Sequence, residues 1–154
     1  MKIIIDSREQ LPLEFKVGGN ITDVSVRGLP IGDYAAEWEP ESNKPETNCE
    51  MPIVFDRKNI SDLFGTLSSG MDRFKKEIER ANENKIQLIL IVEGSICDVL
   101  GGTKYSSIEG KTILKTMFSL FVKYNVIPVF CNNRSEMIRF IVETFEAIGR
   151  NYKH

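Results

Sequence analysis

The chain has 154 residues, with 20 Lys and Arg against 22 Asp and Glu, a formal net charge of -2. Hydrophobic residues make up 42% and charged residues 27%, the balance of one ordinary globular domain and not of a disordered chain. No apolar run approaches the roughly 18 residues a membrane helix needs, and Met1-Lys2-Ile3-Ile4-Ile5-Asp6 turns acidic too soon for a secretory leader. The three cysteines, Cys49, Cys97 and Cys131, are widely spaced without a CxxC. That pattern argues against a disulfide framework or a zinc site and favours a reducing, cytoplasmic setting. His154 is the only histidine and the last residue, which excludes His-based acid–base chemistry, Ser–His or Cys–His triads, and His-ligated metal. Any catalysis must rest on carboxylates and lysines.

Lys2 to Asp6 reads as a buried strand, three isoleucines followed by an acid where the chain leaves the core. Ile21 to Arg27 alternates in part, and Tyr34 to Trp38 is expected to pair with it across Gly28-Leu29-Pro30. Glu39 to Glu50 holds Pro40 and Pro45 without periodicity and reads as a surface loop. Pro52 to Asp56 is a second apolar strand ending in an acid, and Ile60 to Leu67 a short helix. Ser69 with Asp72 resembles a capping pair opening a helix to about Asn84. Gln87 to Glu93 is the most strand-like run. After Gly101-Gly102, Ser106 and Glu109 form a capping-box pattern for a long helix to about Tyr124. Val126 to Cys131 is another strand, and Asn133 with Glu136 starts a final helix running to about Gly149, which suits a C-terminal stop. Strands followed by strand–helix alternation predict a single α/β domain over residues 1–154, a central mixed sheet flanked by helices.

Chemistry concentrates where the apolar segments end: Asp6-Ser7-Arg8-Glu9, Gly32-Asp33-Tyr34 and Asp56-Arg57-Lys58. Residues two apart on a strand share a face, so Asp56 and Lys58 point together and Arg57 points opposite. An acid and a lysine on one face, with acids from neighbouring strands, can hold a hard divalent cation and an attacking water. Such an ion acidifies water and neutralises charge growing on a phosphate, and a lysine can orient or deprotonate that water. Acid-x-Lys occurs four times in the sequence, but only Asp56-Lys58 lies at the end of a predicted buried strand. The bland alternative is that strand-end acids are solvated turn residues.

In combination and order these motifs resemble the XPF-type structure-specific endonucleases of the PD-(D/E)xK nuclease superfamily. The pattern there is Asp-x-Arg-Glu, then Gly-Asp, then Glu-Arg-Lys with an Asp four residues after the lysine. This sequence carries Asp6-Ser7-Arg8-Glu9, Gly32-Asp33, Asp56-Arg57-Lys58 and Asp62. Gly70-Met71-Asp72-Arg73 resembles the glycine–arginine start of the next helix in that family. The resemblance implies a restriction-endonuclease-like fold and an Mg2+-dependent DNA endonuclease, with Mn2+ able to substitute, acting near duplex–single-strand junctions, flaps or branches and leaving a 5′-phosphate. It implies that Asp33 and Asp56 are the central metal ligands, with Asp6 and Glu9 completing or bridging the shell. Lys58 would position the water or stabilise the transition state, and Arg57 would brace the site through Asp62 or Glu9. Two departures stand out: Asp56 replaces the family's Glu, and no helix-hairpin-helix module follows the nuclease segment. A silent DNA-binding or scaffolding subunit is the rival reading, though such members usually lose the acids or lysine kept here. A junction-resolving or restriction-like nuclease of a mobile element is a third.

A net charge of -2 argues against a generally basic DNA binder. Arg73, Lys76 and Arg80 nevertheless share one face of the helix from Met71, opposite Phe74, Ile78 and Ala81. With Arg8, which the resemblance places near a phosphate, they are the DNA-contact candidates; a solvated face interleaved with Glu77 and Glu79 is the alternative. The helices after Ser106 and Asn133 are apolar nearly all round. Part of that surface is expected either to form a homodimer or partner-subunit interface or to belong to a thick single core.

Overall fold

The runs at Ile3 to Ile5, Ile53 to Phe55 and Leu88 to Val92 are apolar at consecutive positions, which suits strands covered on both faces. The computed structural model, which describes residues 1–38 and 52–151, arranges them accordingly. Strands β1 (Lys2–Asp6), β2 (Asp23–Arg27), β3 (Tyr34–Glu37), β4 (Ile53–Asn59), β5 (Gln87–Glu93) and β6 (Ile127–Cys131) form one mixed sheet in the order β2-β1-β3-β4-β5-β6. Between them run α1 (Ile60–Thr66), α2 (Met71–Glu83), α3 (Ile96–Leu100), α4 (Gly110–Tyr124) and α5 (Arg134–Asn151). The loop expected over Glu39 to Glu50 lies outside the described residues. Among the described residues no helix is long and apolar enough to cross a membrane.

The side-chain period of two divides the core into two layers. Ile4, Ala35, Val54, Leu88, Leu90 and Val92 face α1 to α4, where they meet Leu63, Phe74, Ile78 and Ile113. Ile3, Ile5, Tyr34, Phe55, Ile89 and Ile91 face α5 and its Met137, Ile141, Phe145 and Ile148. The two apolar helices thus cover opposite faces of one sheet, and each buries its own stripe. Phe118, Phe121 and Val122 on α4 remain exposed.

Several expectations change. β2 and β3 do not pair: β1 lies between them, parallel to β2 and antiparallel to β3. The reason is burial, since Ile3 and Ile4 are fully buried and need neighbours on both edges, whereas β2 is half exposed and suits an edge. Ser69 does not cap α2, which starts from Gly70 without a side-chain cap. Ser106 does not cap α4, whose N-cap is Glu109. The capping box that forms instead is Ser95 with Asp98, opening α3, a helix too short for sequence periodicity to reveal. Asn133 does cap α5, accepting the Glu136 amide at 2.9 Å. Gly149 is no stop: the helix runs through it to Asn151, and a Cβ there would lie 2.7 Å from the Trp38 ring nitrogen.

Gly110 shows how closely the α3–α4 corner packs. A Cβ at that position would lie 2.0 Å from the Val99 carbonyl oxygen and 2.7 Å from Leu100 Cα, both rigid backbone atoms. Gly110→Ala is therefore expected to destabilise the fold by about 1–3 kcal/mol or more through overpacking, lowering the thermal midpoint by several degrees. Calorimetric unfolding checks this, and an unchanged midpoint would show that the corner yields.

Candidate active site

β1, β3 and β4 are consecutive in the sheet, so their acid-bearing segments meet at one end of its central strands, beside α2. They line a cleft of about 1120 Å³ that holds Asp6, Asp33, Asp56, Lys58 and Glu77, with Arg8, Arg73, Arg80 and Arg134 also lining it. Strand alternation places the key residues as the sequence pattern requires. Asp56 follows Val54 onto the α2 face, and Lys58 joins it, its Nζ 2.8 Å from Asp56 Oδ1. Arg57 takes the other face with Phe55 and pairs with Glu9, Nε to Oε2 at 2.8 Å.

Asp33 is fixed by its backbone. Its amide donates to the Phe55 carbonyl at 2.8 Å, its carbonyl accepts the Asp6 amide at 2.8 Å, and its Oδ2 accepts the Arg57 amide at 2.8 Å. Burial, then the negative charge of Asp56, push its carboxyl up to about 8, against the counter-pull of Lys58. The two carboxyl groups are close enough to share a hydrogen bond while Asp33 keeps its proton. Burial alone would lower Lys58, but Asp56, Asp33 and Glu77 outweigh it and raise the lysine above its ordinary value. The ammonium is therefore charged at neutral pH, which suits electrostatic stabilisation better than proton abstraction.

The acids fall into two groups. Asp6 is buried and already committed: Arg8 Nε and Nη2 reach its carboxylate at 2.8 and 3.3 Å, and the Leu29 amide donates to Oδ1 at 2.8 Å. Burial works against its charge, but Arg8 and the Leu29 amide prevail and hold it below the usual carboxylate range. Glu9 is likewise committed, accepting from Arg57 and, at 2.5 Å, from the Tyr34 hydroxyl. The expected shell of Asp6, Glu9, Asp33 and Asp56 does not assemble, and among the described residues no three acid, His or Cys side chains converge to hold an ion. The physical reason is that two guanidinium groups neutralise Asp6 and Glu9 first. Arg57 pairs with Glu9; Asp62 lies in the first turn of α1, where its backbone amide donates to the capping Asn59 side chain.

Asp33 and Asp56 remain, and they fit a hard cation. Asp56 Oδ1 is buried, and among the described residues the partner it meets is the Lys58 ammonium at 2.8 Å. Two carboxylates lining a cleft suit a hard ion such as Mg2+, which takes oxygen ligands and keeps several waters.

Sequence reasoning missed Glu77 and Arg134. Glu77 lies one helical turn from Arg73 and from Arg80, and its Oε1 accepts the Gly32 amide at 2.8 Å. Burial, then Asp56, raise its carboxyl above its ordinary value. The signal was there: Glu77 sits four residues from Arg73 and three from Arg80, on the border of the buried Phe74–Ile78 stripe. Lys76 is exposed beside them and does not line the cleft. Arg134 opens α5 and donates to the carbonyls of Leu11 and Pro12, both at 2.9 Å, holding the segment after Glu9 to the cleft rim. No spacing marked it.

The folded chain keeps the Asp33 proton up to about pH 8, whereas the unfolded chain releases it near 3.8. The unfolded state binds fewer protons across that window, so stability falls as pH rises through it. Asp33→Asn removes the charge and keeps an acceptor for the Arg57 amide. In EDTA the variant is expected to be more stable than wild type at about pH 9, by on the order of a few kcal/mol, and to lose that advantage at about pH 4. Thermal unfolding at both pH values checks this, and an offset of equal size at both would contradict it.

Comparison with known proteins agrees with this geometry. Among solved structures, the fold is similar to XPF from Aeropyrum pernix (TM-score 0.67, 18% identity, 97% of this chain and 61% of that one). It is also similar to XPF from Aeropyrum pernix in complex with DNA (TM-score 0.62, 18% identity, 97% of this chain and 64% of that one). The chain thus spans less than two thirds of the length of either. A search of curated proteins finds no match. The family model of the ERCC4 domain matches residues 5–144, a span that runs from the end of β1 into α5 and takes in every acid of the cleft. The chain belongs to the ERCC4 domain family.

Proposed function

We propose that this chain is a divalent-cation-dependent endonuclease that hydrolyses DNA phosphodiester bonds at branched or flap structures. The observation that carries the reading is the pairing of Asp33 with Asp56 beside a charged Lys58, in an arginine-rimmed cleft. Membership of the ERCC4 domain family supports it, as does the likeness in fold to a protein solved with DNA.

Asp33 and Asp56 would hold Mg2+, or Mn2+ in its place, and the ion would supply an acidified water and a counter-charge for the phosphate. The remaining work belongs to the chain's own side chains. Lys58, held by Asp56, presents a fixed positive charge where a phosphoryl group would gain negative charge. The Arg57–Glu9 pair, backed by the Tyr34 hydroxyl, stiffens β4 from the opposite face. Arg57 contributes in a second way, since its backbone amide orients the Asp33 carboxylate. Arg8, Arg73 and Arg80 line the cleft and suit phosphates flanking the cut. Arg8 is largely exposed even while bonded to Asp6 and the Leu29 carbonyl, so a phosphate in the cleft could reach it. A second copy or partner subunit would find an apolar seat on the exposed α4 residues Phe118, Phe121 and Val122.

With labelled flap, fork, junction and plain duplex DNA, wild type is expected to cut a branched substrate in Mg2+ or Mn2+ and to be inert in EDTA. Asp56→Asn is expected to lower kcat by roughly 100-fold or more with DNA affinity retained. Binding without cutting under every metal condition would favour the scaffolding reading. Selective cutting of four-way junctions would favour a resolving nuclease.

A further inference from the structure

Glu77 comes from a helix and reaches across the cleft to the backbone of the segment that carries Asp33. Its Oε1 accepts the Gly32 amide at 2.8 Å, across 45 positions of sequence. Gly32 is the point where the chain turns sharply before Asp33. Its φ is +71°, and a Cβ there would lie 2.2 Å from Val54 Cγ1 and 3.0 Å from the Phe55 carbonyl oxygen, so only glycine fits. Glycine is also the residue with the most freedom to lose, and a left-handed glycine next to a reacting carboxylate needs a fixed donor–acceptor contact to hold it. α2 can supply one because Phe74 and Ile78, either side of Glu77, are buried against the sheet. The next residue, Asp33, is tied by its own three hydrogen bonds to Phe55, Asp6 and Arg57.

We propose that Glu77 is a positioning residue: by anchoring the Gly32 amide to α2, it sets where the Asp33 carboxylate lies relative to Asp56. The proposal rests on the metal-dependent reading above and adds to it a residue outside the strand-end motifs. Glu77 acts as a hydrogen-bond acceptor in this role, and its negative charge is incidental. A third-ligand role is the competing assignment, and among the described residues no three acids converge on one ion. The two roles separate under substitution. Glu77→Gln keeps an oxygen acceptor for Gly32 and removes the charge, whereas Glu77→Ala removes both.

The test compares wild type, E77A and E77Q in the full chain. It measures the Gly32 amide resonance and its exchange rate in EDTA, Mn2+ affinity by calorimetry, and kcat and KM on a flap substrate. E77A is expected to shift the Gly32 resonance and speed its exchange. It should weaken Mn2+ binding by roughly 10- to 100-fold, the usual loss when a residue supporting a ligand is removed, and lower kcat more than it raises KM. E77Q is expected to restore most of each quantity, and an otherwise unchanged amide spectrum of E77A separates its losses from a folding defect. An unchanged Gly32 amide in E77A, or wild-type Mn2+ affinity in that variant, would overturn the inference and leave the function reading standing. Equal loss in E77A and E77Q would overturn it in favour of a direct ligand. A wild-type chain that binds no Mn2+ and cuts nothing would instead overturn the function reading and the positioning role with it.

Discussion

Asp33 and Asp56 do not both carry full negative charge at neutral pH in this cleft, even with Lys58 beside them. Burial and mutual repulsion push the Asp33 carboxyl up to about 8, and Lys58 opposes that push without cancelling it. Like charges held together in a poorly solvated site raise one member of the pair, and proteins keep such pairs where they are used. Much of the surrounding structure keeps the two acids from moving apart. The Arg57 amide holds Asp33, the Phe55 carbonyl holds its backbone, and a glycine that admits no side chain turns the chain into place.

The other two acids of the strand-end motifs show the opposite solution. Asp6 and Glu9 each sit with an arginine at 2.8 Å and further donors, so their charge is neutralised within the fold. Their work is mechanical. Asp6 ties the end of β1 to the Leu29 turn, and Glu9 joins β4 to the Tyr34 hydroxyl, which in turn accepts the Leu13 amide at 2.8 Å. The cleft therefore contains a neutralised polar frame and, inside it, two crowded carboxyl groups that share the counter-charge of Lys58. Buried polar networks rigidify when every member is partnered, and the contrast with the crowded Asp33–Asp56 pair separates frame from site.

Most of this was legible in the residues. Asp56-Arg57-Lys58 at the end of an apolar run dictates by strand alternation that Asp56 and Lys58 share a face, and they do. The mixed sheet with flanking helices followed from strands that alternate with amphipathic stretches. Strand order was not legible: Ile21 to Arg27 and Tyr34 to Trp38 look like a hairpin, and only the double-sided burial of Ile3 and Ile4 decides that β1 divides them. Ser69 and Ser106 satisfy a capping pattern short enough to occur without forming, and the real caps fall at Gly70 and Glu109. Glu77 was hidden because an acid among Lys75, Lys76 and Glu79 reads as a solvated helix face. Its role depends on a partner 45 residues away, and local periodicity carries no such information.

The central claim is that Asp33 and Asp56 together hold a divalent cation. Crystals soaked in Mn2+ and measured at a wavelength where manganese scatters anomalously test it directly. One anomalous peak bonded to both carboxylates is expected, with Lys58 Nζ beside Asp56 and with Asp6 and Glu9 still paired to their arginines. A peak on Asp6 or Glu9 in place of this pair, or no peak in the cleft at saturating Mn2+, would contradict it.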